Sequence, residues 1–221
     1  MNKSITILTF FILLATSSFA QDKGFYYGTR FSLGESDLSS SNLENTTGKL
    51  FWQAGAASAY QFTKNIGLTA DFLLSGKGTK NTGNFTSASV LGTTERKYDQ
   101  KISLLRGDVP ITLKLSANVE KLYFKAYAGP NINFQLAGVH TLQYEDEDYN
   151  DDNGFENADI SNNFETMTLG MLFGAGIDVK AGDGRIFFLD FRYSPSSTVG
   201  TWGSQDLKSN FIGLSTGYLF H

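Results

Sequence analysis

The chain contains no cysteine, which excludes disulfides, thiolate metal centres and thiol nucleophiles together. Its only histidines are His140 and His221, scant material for a histidine-based catalytic centre. Proline is scarce, at 3 residues. Basic residues do not dominate either, with 18 Lys and Arg against 22 Asp and Glu. That balance argues against a nucleic-acid partner, whose phosphates call for a cationic surface. Past residue 20 no apolar run approaches the ~20 residues that a membrane helix needs. Such a chain is either soluble or crosses a membrane as strands.

What is present starts with the first twenty residues. Lys3 is followed by an apolar run from Ile5 to Ala15, and Ser18 and Ala20 stand at the −3 and −1 positions of a cut before Gln21. This is the pattern of a secretory signal peptide. The apolar run is too short to span a bilayer as a helix, and no Cys follows the cut to carry a lipid. Residues 1–20 are therefore read as a signal peptide and 21–221 as one domain.

Strict alternation of apolar and polar residues recurs along the rest of the chain. It predicts strands over about 24–33, 51–62, 66–77, 98–115, 121–139, 164–180, 185–194 and 210–220, since period two marks a strand with unlike faces. Eight is an even number, and the gaps alternate long and short, as short periplasmic turns and long outer loops do in a membrane barrel. Phe187, Leu189, Phe191 and Tyr193 share one face, while Asp190 and Arg192 share the other. The apolar face must meet lipid, because a charge facing the bilayer midplane costs ~2–4 kcal/mol. The expected fold is all-β: a closed eight-stranded antiparallel up-and-down transmembrane β-barrel in a bacterial outer membrane. Phe25, Tyr27, Tyr60, Phe62, Phe124, Phe187, Tyr218 and Phe220 fall at the periplasmic interface, and Trp52, Phe134 and Tyr193 at the outer one, where amphipathic rings favour the headgroup level. Pro110 and Pro130 are expected to mark bulges.

Eight strands enclose an interior that side chains can fill. Parity directs Arg30, Arg106, Lys114, Lys125 and Arg192 inward, together with Asp71, Asp108, Asp178 and Asp190. This near-balance predicts a plug of paired charges, with Arg192 answering Asp190 or a cross-strand carboxylate; a narrow polar conduit is the competing reading. The segment from His140 to Asn163 carries Glu145, Asp146, Glu147, Asp148, Asp151, Asp152, Glu156 and Asp159 and no Lys or Arg. It is expected to be a mobile acidic loop, dispensable for folding, that offers a loose site for a divalent cation or a basic partner. It fails the EF-hand pattern, because Asp151 stands where Gly is required and Asn157 where Glu is required.

Several local patterns resemble the PorT-like outer-membrane β-barrel family, similar in size to the OmpX type. They are the opening Gly24-Phe25-Tyr26-Tyr27-Gly28, Tyr60-Gln61-Phe62 before Leu68–Ser75, Gly76-Lys77-Gly78, and Val109-Pro110-Ile111 before Lys114. Ala128-Gly129-Pro130, Gly174-Ala175-Gly176 and the closing Gly217-Tyr218-Leu219-Phe220 continue the series. The resemblance spans the mature chain and departs at His221, where such chains end on the aromatic residue. It implies a non-enzymatic outer-membrane protein with a structural, adhesion or export-accessory role, the family's namesake being associated with type IX secretion. The alternative is a narrow transporter of small or hydrophobic solutes. An outer-rim lipid-modifying enzyme using His140 ranks lower, since no Gly-x-Ser-x-Gly motif accompanies it. No cofactor is expected. The expected partners are outer-membrane lipid, the barrel-assembly machinery during biogenesis, and an extracellular or secretion-system protein, with the barrel itself a monomer.

Overall fold

A computed structural model of the protein describes residues 24–40, 46–89, 92–119, 122–145, 154–181, 184–202 and 205–221. The signal-peptide assignment lies outside these residues. Among them, nine strands form one antiparallel sheet: β1 (Gly24–Ser39), β2 (Thr46–Gln61), β3 (Ile66–Ser89), β4 (Gly92–Val119), β5 (Leu122–Tyr144), β6 (Phe155–Asp159), β7 (Met167–Ala181), β8 (Arg185–Trp202) and β9 (Gln205–Phe220). The order runs β4-β3-β2-β1-β9-β8-β7-β5, and pairing of β4 with β5 closes the ring. Eight strands thus make the barrel, and β6 is a short addition beside β5. Closure satisfies every strand edge inside the bilayer, where no water can do so.

The wall follows the alternation. Outward residues such as Phe31, Phe72, Leu113 and Leu189 are exposed, and their sequence neighbours are buried. The periplasmic aromatics pack on one another: Tyr27 meets Phe220 edge-on at 4.7 Å, Phe187 lies 4.6 Å from Tyr218, and Tyr60 packs 5.1 Å from Phe62.

The strands run well past the lengths that the alternation suggests. β3 and β4 stay paired out to Ser89↔Gly92, and β8 and β9 out to Trp202↔Gln205. The outer connections are long, as expected, but strand fills most of them. Beyond the lipid both faces of a strand meet water, so the apolar–polar contrast fades while the backbone ladder persists. Pro110 and Pro130 do not shift the register: the pairings on both sides of each keep one alignment. Within the ring the shifts fall at Gly48/Trp52, at Leu105/Arg106, at Thr198/Gly200 and at Ser194/Ser197, which flanks Pro195. A missing N–H removes one ladder bond without inserting a residue, so a proline alone does not make a bulge.

The acidic segment also differs from expectation. His140 to Tyr144 belong to β5. β6 pairs with β5 through Val139↔Asp159 and His140↔Ala158, directly beyond the point where β7 begins its own pairing at Phe134↔Met167. A single 3-10 turn, Ser161–Asn163, follows. Phe164 then bridges to Gly200 of β8, and the Glu165 amide donates to the Val199 carbonyl at 3.1 Å. This stretch fills the wall between β5 and β8 at the outer end.

Candidate functional site in the barrel lumen

The inward positions build a lumen of alternating apolar and charged layers. At the periplasmic end Tyr26, Ala57, Ala59, Ile186, Phe188 and Leu219 cluster. At the outer end Leu38, Ile102, Leu104, Phe164, Val199 and Leu207 pack together with Ile160 against them. Between them Phe51 stacks on Phe211 at 4.4 Å, joined by Tyr127 and Leu172. The Tyr127 ring lies flat over Gly174 of the next strand, where an added Cβ would collide with it.

The charged layers form one connected chain. All nine charged residues assigned inward by parity are buried. Asp190 accepts from Arg30 at 2.7 Å, from Lys125 at 2.7 Å and from the Tyr127 hydroxyl at 3.1 Å. Lys125 continues to Asp178 at 2.5 Å, which also takes Lys114 at 3.3 Å. On its other side Arg30 reaches Asp71 at 2.9 Å and Ser215 at 2.9 Å. Asp71 is shared with Arg192 at 3.9 Å. Arg192 donates to Gln53 Oε1 at 3.2 Å, and Gln53 Nε2 donates to Asp108 at 2.6 Å. Arg106 stands apart from these ion pairs and donates to Thr168 Oγ1 at 2.6 Å. The ring of Phe188 lies beside both Arg30 and Lys125, 4.3 and 4.6 Å from their charges, a contact that strengthens when desolvated.

Of the two carboxylate partners expected for Arg192, the structure has the one on another strand: Arg192 meets Asp71 and Gln53, while Asp190 belongs to Arg30 and Lys125. Lys77 is a further lumen cation: it is buried, pairs with Asp108 at 3.0 Å and lies 4.8 Å over Phe211. It has the same parity as Asp71 on β3, so extending that alternation six residues would have found it. With Lys77, the buried lumen holds six cations and four carboxylates among the described residues, and five of those cations pair with the carboxylates.

Of the acidic segment, Asp146, Glu147, Asp148, Asp151 and Asp152 lie outside the described residues. Glu145 pairs with Lys97 at 3.6 Å on the exposed surface. Glu156 lies within β6. Asp159 accepts from the Ser161 amide at 2.8 Å, and hydrogen bonds from Ser161 hold its carboxyl below the usual carboxylate range. No three His, Asp or Glu side chains among the described residues are grouped to hold a metal ion. His140 points inward and is buried, with Nε2 2.8 Å from Gln100 Nε2, and its burial pushes its pKa down.

A closed ring of eight antiparallel strands, apolar outside and charged within, defines a transmembrane β-barrel. Residues 19–196 match the family model described as the outer membrane protein beta-barrel domain, and the chain belongs to that family. The protein therefore resides in the bacterial outer membrane. No curated protein matches the sequence. Among solved structures, the chain is similar to Ail, the attachment invasion locus protein of Yersinia pestis, at 14% identity over 90% of this chain and 100% of that one, with a TM-score of 0.41. Neisserial surface protein A matches at 12% identity over 89% and 98%, with a TM-score of 0.43. OprG from Pseudomonas aeruginosa matches at 13% identity over 91% and 97%, with a TM-score of 0.41.

Proposed function

We propose that this protein is a non-enzymatic integral outer-membrane barrel with a plugged lumen, exported through a signal peptide cut after Ala20, that acts through its outer surface. One observation carries this reading: the ion-pair chain that fills the lumen. Arg106 and Arg192 are 1% exposed and Asp108 is 0% exposed, whereas a water-filled passage would leave such groups hydrated. Buried charges persist when they are paired and hydrogen-bonded, and this network links all but Arg106 through ion pairs or Gln53. The apolar clusters at either end add two dry layers to the path.

The outer surface is then the working part. It consists of paired strand extensions and the acidic segment, a surface suited to contact with a basic extracellular or secretion-system partner, whether in adhesion, in envelope structure or as an accessory to export. The PorT-like sequence patterns favour the export variant. The barrel works as a monomer delivered to the membrane by the barrel-assembly machinery. Planar-bilayer recording from the purified protein tests the plug: the expected trace has no steady open-channel current, and a stable conductance would replace this reading with that of a narrow transporter.

A further inference from the structure

A row of lysines stands on the lipid-facing wall just beyond the outer edge of the apolar belt. On β2 the belt ends at Trp52 and Leu50, with Leu50 68% exposed and the Trp52 indole lying over Gly76 of β3. On β4 the outward positions pass from Leu105 to Ser103 and Lys101. Lys49 lies across Gly78 and donates from Nζ to Ser103 Oγ at 2.5 Å. One rung further out, Lys80 and Lys101 are direct register partners on β3 and β4. Both reach the same carboxylate, Asp99, at 3.2 and 3.5 Å. Burial first, and then the neighbouring charge of Lys101, push the Lys49 ammonium below its usual range. On the β1 side the row is bounded by Glu35, whose side chain covers Gly48.

This arrangement is costly by itself. Like charges placed directly opposite on neighbouring strands destabilise a sheet, and with Asp99 between Lys80 and Lys101 and Glu35 at the edge of the row, one positive charge in three still lacks a counter-charge. The side chains of Lys80 and Lys101 remain 45% and 41% exposed, open to an anion from outside. Indole rings settle at the headgroup level, so ammonium groups one or two rungs above Trp52 lie at the depth of lipid phosphates. We propose that Lys49, Lys80 and Lys101 bind the headgroup phosphate of a phosphorylated glycolipid in the outer leaflet, whose acyl chains lie along the Leu50, Trp52 and Leu105 surface. The phosphate supplies the negative charge that the row lacks, and each lysine contributes as a point charge.

The test uses the whole protein in nonionic micelles, titrated with diphosphoryl lipid A, with its dephosphorylated form and with inorganic phosphate. The unfolding midpoint and lipid retained in native mass spectrometry are the readouts. The diphosphoryl lipid should raise the wild-type midpoint, and the Lys80→Gln/Lys101→Gln variant should need roughly thirtyfold more lipid for half the effect. The dephosphorylated lipid and inorganic phosphate should do neither. An unchanged titration in the variant, or an equal response to the dephosphorylated lipid or to inorganic phosphate, overturns the proposal. Should that variant fail to fold, Asp99→Asn removes the competing carboxylate and should tighten the titration; an unchanged or weaker one overturns the proposal equally.

Discussion

Arg30 joins two carboxylates, Asp71 at 2.9 Å and Asp190 at 2.7 Å. Its loss leaves Asp71, among the described residues, with the 3.9 Å contact to Arg192, while Asp190 keeps Lys125. Breaking a buried pair from one side costs about 3–5 kcal/mol, and Arg30→Ala should approach that loss in denaturant titration in micelles. Arg192→Ala should cost distinctly less, because Asp71 retains Arg30 and Gln53 retains Asp108. Equal losses in the two variants would show that the network does not divide along these distances. Parity placed both arginines inside, yet which carboxylate each one meets depends on strand tilt and side-chain length. Those two quantities appear only when the ring closes.

At the scale of elements, the segment after β5 divides in two. Residues 154–166 belong to the wall: β6 extends the sheet, Ser161 Oγ accepts from the Gly138 amide at 3.0 Å, and Phe164 is buried in the outer apolar cluster. Phe164→Ala should therefore destabilise the barrel by about 3–5 kcal/mol, as truncation of a buried Phe does, measured by the same titration. Replacing residues 146–153 with a short Gly-Ser turn should leave the midpoint unchanged and alter whatever the acidic surface binds. A neutral Phe164→Ala would mean that the outer cluster does not help close the barrel. The sequence reading took 140–163 as one loop because eight carboxylates dominate its composition. The two anchors that matter, Ile160 and Phe164, look unremarkable until β8 and β1 bring Val199 and Leu38 against them.

For the whole molecule, the apolar belt, the charged interior and the proposed export signal require one another. A barrel with its hydrophobic face outside cannot remain in an aqueous compartment, and its interior charges cannot face lipid. Mass spectrometry of the envelope-derived protein should find a mature chain starting at Gln21. A protein still carrying Met1–Phe19 would overturn the proposed cleavage and place a second apolar segment against the membrane. The lipid phosphate proposed at Lys80 and Lys101 belongs to this scale too, since it ties the depth of the barrel to the headgroup layer marked by Trp52.

The eight strands of the ring, its closure, the outward belt and the inward set of nine charges were determined by the sequence alone, because period-two alternation is local and survives without tertiary contacts. Lys77 was within the reach of the same rule. The length of the strands beyond the lipid was not, since backbone pairing leaves no mark where both faces are polar. The pairing of charges, the wall segment with Phe164 and the in-register lysines joined by Asp99 were decided only by the tertiary structure. Each depends on which residues of separate strands stand side by side, and register is set by closing the ring and by bulges such as the one at Gly48/Trp52, which no single strand encodes.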